Sequence, residues 1–152
     1  MRRVLLIAAL GAALLLPAIV LAGGPTADGI SGVWLTGDQD GHVKIERCDD
    51  AFCGTLVWVK PKPDVKVPLD DKNPDPALRS RKLEGVEILQ GLTYKGKDRW
   101  GGGTIYDPKT GNTYHVRITM VDGDTLKLRG YIGIPLLGRT EEWHRVKDAP
   151  AS

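Results

Sequence analysis

Apolar and polar side chains alternate in three consecutive runs of this chain, at 103–107, 112–120 and 125–132, and a tight turn follows each of the first two. In the second run Tyr114, Val116, Ile118 and Met120 fall on one face, with Thr113, His115, Arg117 and Thr119 on the other. In the third, Leu126, Leu128 and Ile132 oppose Thr125, Lys127, Arg129 and Tyr131. A period of two belongs to a strand with one buried face, so the apolar set is read as inward and the polar set as outward. The turns have their own chemistry. Asp107-Pro108-Lys109-Thr110-Gly111 places Pro where a type I turn wants it and Gly where the chain goes left-handed, and Asp122-Gly123 is a hairpin dipeptide. Antiparallel neighbours joined in this way build a barrel or a sandwich, not an α/β sheet.

The same pattern, weaker, extends along the chain and gives strands at 32–36, 42–47, 54–60, 89–95, 98–106, 112–120, 125–132 and 139–146. Most connections are hairpin-sized. The predicted fold is therefore all-β: one eight-stranded antiparallel up-and-down β-barrel, whose interior holds either side chains or one small ligand. One connection breaks the rhythm. Residues 61–86 contain Pro61, Pro63, Pro68, Pro74 and Pro76, and a long irregular segment in a compact domain is commonly functional. Asn73 followed by Pro74 suggests an N-cap and a short helix to Arg81, and the segment is expected to be a flap over one mouth of the barrel.

The ends set the domain limits. Arg2 and Arg3, an apolar run to Leu16, Pro17 and the Val20-Leu21-Ala22 site read as an export signal over 1–22. A leader at 23–31, a barrel domain at 32–147 and a tail at 148–152 follow. The two signal arginines account for the whole formal charge of +2, so the mature chain is neutral and lacks the basic surplus that nucleic acid demands. No membrane anchor is expected after cleavage. Two cysteines in an exported chain, Cys48 and Cys53, are expected to form a disulfide that staples a turn. The address that follows is periplasmic or secreted.

No Gly-x-Ser-x-Gly elbow occurs, and Gly101-Gly102-Gly103 enters a strand where a phosphate loop would enter a helix, so it is read as a bend. His42, His115 and His144 sit on three strands with no local pair for a metal. Two acidic clusters invite a cation: Asp38-Gln39-Asp40-Gly41 lacks the remaining ligands of an EF-type loop and its Gly suits a hairpin, while Asp70, Asp71 and Asp75 are more open, with capping of the short helix as the plainer role. Neither a cofactor nor catalysis is expected.

Candidate binding residues follow from chemistry. Trp58, Trp100 and Tyr106 are aromatic positions on strands that suit an apolar pocket, while Arg79, Arg81, Arg129 and Tyr131 are polar groups that suit the head group of an amphiphile. Gly32-Val33-Trp34 opens the first strand as in calycin barrels such as lipocalins, where the indole crosses the closed end and a late arginine packs over it. Arg139 and Arg145 are the candidates for that arginine. Near them, Gly133-Ile134-Pro135-Leu136-Leu137 is an apolar turn, expected to be a buried corner; the other possibility is a patch that meets a membrane or a partner.

The order of these motifs resembles the bacterial family known as domain of unknown function 2147. The resemblance runs through Gly32-Val33-Trp34, Ile45-Glu46-Arg47-Cys48, Cys53-Gly54-Thr55-Leu56-Val57-Trp58 and Asp71-Lys72-Asn73-Pro74-Asp75. It continues through Leu78-Arg79-Ser80-Arg81, Trp100-Gly101-Gly102-Gly103-Thr104-Ile105-Tyr106-Asp107-Pro108, Arg129-Gly130-Tyr131-Ile132-Gly133 and Leu137-Gly138-Arg139-Thr140 before Trp143. It implies an exported, lipocalin-like single domain and carries no reaction with it. The expected function is an exported binding protein for a small hydrophobic or amphipathic ligand. The alternative is an envelope interaction module with a filled barrel, meeting a protein through the Pro-rich loop or an edge strand.

Overall fold

The structure is a computed structural model, and it describes residues 26–147. The export signal expected at 1–22 and the tail at 148–152 lie outside the described residues. Eight strands follow in order: β1 (Gly32–Leu35), β2 (Gly41–Cys48), β3 (Ala51–Val59), β4 (Glu87–Gly96), β5 (Arg99–Asp107), β6 (Asn112–Asp122), β7 (Thr125–Tyr131) and β8 (Arg139–Arg145). Each pairs antiparallel with its successor, and β8 returns to β1, so the sheet closes into a barrel. The β1–β8 seam is short, with Trp34 opposite Arg145 and Leu35 opposite His144; beyond it, the Val146 amide adds a bond of 2.8 Å to the Val33 carbonyl.

Alternation sets the core as expected. Val116 and Ile118 on β6, and Leu126 and Leu128 on β7, are buried inside the barrel. Arg117 and Lys127 on the same strands are exposed. The register shifts in five of the strand pairs, and two of these shifts bear on the site. The register of β5 against β6 shifts between Trp100 and Gly103, where Gly102 has φ +79°, as the glycine run suggests. Gly103 is required for a different reason: a Cβ there would overlap the Gln90 carbonyl on β4. On β3, a shift between His42 and Val43 of β2 leaves Val57 unpaired and turns Trp58 onto the His42 face.

The hairpins depart from expectation in detail. Asp122-Gly123 does not form a mirror-image turn, because Gly123 has no positive φ; instead the Asp122 carboxylate accepts from the Asp124 amide at 2.8 Å. The two left-handed central residues occur in the β4–β5 hairpin, at Lys97 (φ 52°) and Asp98 (φ 54°). β3 begins three residues earlier than its pattern suggests. Cys53 therefore lies within the ladder opposite Glu46, and its disulfide to Cys48 spans the β2–β3 pair at a Cα separation of 5.9 Å.

One end of the barrel is sealed. A 3-10 turn at Ala27–Ile30, in the stretch expected to be a plain leader, crosses this end and is bonded to the barrel by side chains. The Trp34 indole donates to the Ile30 carbonyl at 2.9 Å and the Trp100 indole to the Ala27 carbonyl at 3.1 Å. Below them Ile30, Val43, Ile45, Phe52, Leu92 and Leu126 are almost wholly buried.

Candidate functional site

The other end is open. The apolar packing stops short of it and leaves a cavity of about 570 Å³. Its inner wall is formed by Leu56, Ile105, Tyr114, Val116, Leu128 and Trp143, contributed by five strands. Gly130 on β7 lines it too and contributes no side chain, so a small residue helps to create the space. The expectation of a barrel filled by its own side chains is met at the sealed end alone.

Strand β8 supplies the polar part of the wall by the same period of two. Trp143 points inward, so Glu141 and Arg139 follow it on that face toward the mouth. The Trp143 indole approaches the Glu141 carboxylate at 3.4 Å. The Arg139 side chain makes no hydrogen bond or ion pair with another described residue, although its charge helps to lower the Asp38 carboxyl. Lys109 on the β5–β6 turn reaches across the mouth to the β1–β2 turn, 2.6 Å from Asp38 and 2.7 Å from Asp40. Its hydrogen bond and charge hold Asp38 below the ordinary carboxylate value. Burial works against the Lys109 charge, but bonds to the two carboxylates outweigh it and raise the ammonium pKa.

The Pro-rich segment is placed differently from the expected flap. No residue of 61–86 lines the cavity. The segment doubles back on itself, with Leu69 bridged to Lys82, and is fixed to the outside of the rim through Asp70. That carboxylate is fully buried. It accepts from the Tyr106 hydroxyl at 2.5 Å, the Asn73 amide at 2.8 Å and Arg81 at 2.8 and 2.9 Å. Burial pushes Asp70 up, but these bonds together hold it below its ordinary value. Tyr106 is pushed up to about 12, by burial and by donating to Asp70. A phenol with a raised pKa is a poor base or nucleophile, so the Tyr106–Asp70 pair is a tether. Asp70 is thus occupied by donors of the chain itself. The short helix is a single 3-10 turn at Pro76–Leu78, capped by Asp75 where Asn73 was expected, with the Ala77 amide bonded to Asp75 at 2.9 Å. Asn73 instead supports the cap from behind, accepting from the Asp75 amide.

The expected binding residues divide sharply. Tyr106 and Tyr131 border the cavity, as does Arg139, which was expected at the sealed end. Trp100 does not line it: beside the β4–β5 hairpin it is packed into the sealed end with 1% exposure. Trp58 is rotated by the bulge onto His42, with ring centres 4.6 Å apart, and also lies off the cavity. Arg79 donates to the Asn73 carbonyl at 2.7 Å, and Arg81 is committed to Asp70. Arg129 lies on the outer face and donates to the carbonyls of Pro135 and Leu136 at 2.6 and 2.9 Å. Of the two candidates to cover Trp34, Arg145 does so, with its guanidinium carbon 4.1 Å from the ring centre.

The place of Glu141 and Trp143 on the cavity wall, and the Lys109 bridge, are not among the expected site features. Glu141 and Trp143 were legible, since a buried Trp at 143 on a strand implies an inward side chain at 141. The bridge was not, because it joins turns distant in sequence. The apolar turn at 133–137 is corrected as well. It is no buried corner: Ile132, Ile134, Leu136 and Leu137 are 71, 55, 81 and 79% exposed.

The chain matches over residues 32–145 the family described as "Uncharacterized protein conserved in bacteria (DUF2147)". It is also similar to a solved structure whose title reads "Protein HP1028 from the human pathogen Helicobacter pylori belongs to the lipocalin family". That similarity has 27% identity and a TM-score of 0.68, and covers 78% of this chain and 83% of the other. Among curated proteins no match is found. The family match spans the whole barrel from β1 to β8, and the barrel has lipocalin form with one sealed and one open end; the chain belongs to the DUF2147 family of bacterial proteins and has a lipocalin-like fold.

Proposed function

We propose that this is an exported bacterial protein that holds a small amphipathic molecule in its barrel without covalent chemistry. The observation that carries the reading is the cavity of about 570 Å³, open at one end and walled by aliphatic and aromatic side chains. Pockets for small ligands typically measure roughly 300–1,000 Å³ and combine apolar walls with a few polar groups. The apolar part of the ligand would lie against Leu128, Val116, Ile105 and Trp143, gaining roughly 25 cal/mol per Å² removed from water. Its head group would stay at the mouth beside Arg139, whose guanidinium suits a carboxylate or phosphate. The signal-like residues 1–22 and the Cys48–Cys53 disulfide support export.

Titration with a fluorescent fatty acid tests the proposal, with energy transfer from the barrel's tryptophans as the signal. Saturable 1:1 transfer is expected. Arg139→Gln should weaken the carboxylate probe by about tenfold, the size of one charge-assisted contact, while sparing the matching alcohol. No saturable uptake of any amphiphile would overturn the reading.

A further inference from the structure

The β7–β8 connection is the most apolar exposed part of the described chain. Ile132, Ile134, Leu136 and Leu137 are each more than half exposed, and they share a single loop shaped by a 3-10 turn at Pro135–Leu137. Clustered aliphatic exposure of this kind, held in one place, marks an interaction site. Two of the four, Ile132 and Leu137, also line the cavity. The exposed apolar surface is therefore continuous with the cavity wall, and the loop forms its lip.

The loop is held in this form. Arg129 donates to the carbonyls of Pro135 and Leu136, and its remaining guanidinium nitrogen bonds to Thr140 at 2.7 Å. Two carbonyls of the turn, those of Pro135 and Leu136, are thus satisfied by a side chain from below, which lowers the cost of bringing this segment toward an apolar medium. Its flanks have matching chemistry. From Thr125 to Thr140 there is no acidic residue; Lys127 pairs with Glu142 and Arg129 is engaged by the loop's own carbonyls, which leaves Arg139 as the unengaged cation beside the loop, with Tyr131 at its base. Aliphatic side chains at the tip, with an aromatic ring and a cation behind, suit the boundary of an anionic bilayer.

We infer that this loop docks the open end of the barrel on an anionic lipid bilayer, so that an amphiphile passes between bilayer and cavity without crossing water. The transfer half of the inference rests on the cavity reading; the docking half does not.

The test uses the mature chain in flotation with vesicles of equal parts phosphatidylglycerol and phosphatidylcholine. Ile134→Ser with Leu136→Ser is the variant, because neither residue lines the cavity and both are exposed. Wild type should float with the vesicles and the double variant should lose roughly tenfold or more of that binding. The variant's fatty-acid affinity should be unchanged, while transfer from vesicles slows. Flotation without any fatty-acid uptake would leave docking standing and remove the cavity reading. Absence of flotation by wild type, or equal flotation by the variant, overturns docking. So does a wild-type dimer in sedimentation that the variant abolishes, since the loop would then be covered by a second copy.

Discussion

Arg145 lies over Trp34, and the same guanidinium donates to the carbonyls of Ser31 at 2.8 Å, Gly29 at 2.9 Å and Gly123 at 2.8 Å. One side chain on the last strand therefore fixes the first strand, the sealing turn and the β6–β7 hairpin. Gly32 leaves the room: its φ is +135°, and a Cβ would stand 2.5 Å from the Arg145 guanidinium. Arg145→Met keeps the bulk but loses the charge and every bond, and should cost about 2–3 kcal/mol in urea unfolding. Gly32→Ala should cost a similar amount, through strain and displacement of the guanidinium. Arg145→Lys should recover only part of the loss, since a point charge cannot span three carbonyls.

The tether between Tyr106 and Asp70 predicts a dependence on alkaline pH. The folded tyrosine titrates near 12, above its ordinary value of 10.0. A raised folded value means that its contribution is complete below pH 10 and disappears as pH rises toward 12. Tyr106→Phe should thus be about 1–2 kcal/mol less stable than wild type at neutral pH. The difference should close across that alkaline window, as read by urea midpoints at successive pH values.

The Lys109 bridge across the mouth should govern access more than stability. Its partners are substantially exposed, so Lys109→Met should change the unfolding free energy by less than about 1 kcal/mol. Ligand association and dissociation should both accelerate, leaving the dissociation constant nearly unchanged; stopped-flow fluorescence measures this directly. High salt should make wild type resemble the variant.

The β4–β5 hairpin holds two ordinary residues in left-handed backbone, Lys97 and Asp98. Lys97→Asn with Asp98→Gly supplies the residues such a turn prefers and should stabilise the barrel by roughly 0.5–1 kcal/mol. Thermal unfolding would show it as a higher midpoint.

The architecture was legible because period-two alternation and turn chemistry are local. Tyr114, Val116, Ile118, Leu126 and Leu128 point inward as their spacing demands, and Gly32-Val33-Trp34 anticipated the indole at the sealed end. The site was less legible, for two physical reasons. A single bulge at Val57 reverses the face of Trp58, and no residue preference marks that bulge in advance. Arginines on a polar face look alike in sequence, yet Arg81, Arg129 and Arg145 are all consumed by bonds to the chain itself, while Arg139 is not. Alternation gives the face of a residue; which end of the barrel it occupies follows from the shear of the whole sheet.

The central claim is that the cavity holds a ligand, and Gly130 allows a direct test. A Cβ there would make only ordinary contacts, the nearest 3.7 Å away, and a longer side chain would extend into the cavity. Native mass spectrometry should compare wild type with Gly130→Leu, both as the mature chain made in bacteria and purified without detergent. The account predicts a discrete added mass on wild type that leaves on solvent extraction and returns with fatty acids, and a bare Gly130→Leu protein. A wild-type mass that stays bare when fatty acids and other amphiphiles are supplied, or an added mass that Gly130→Leu retains, would contradict it.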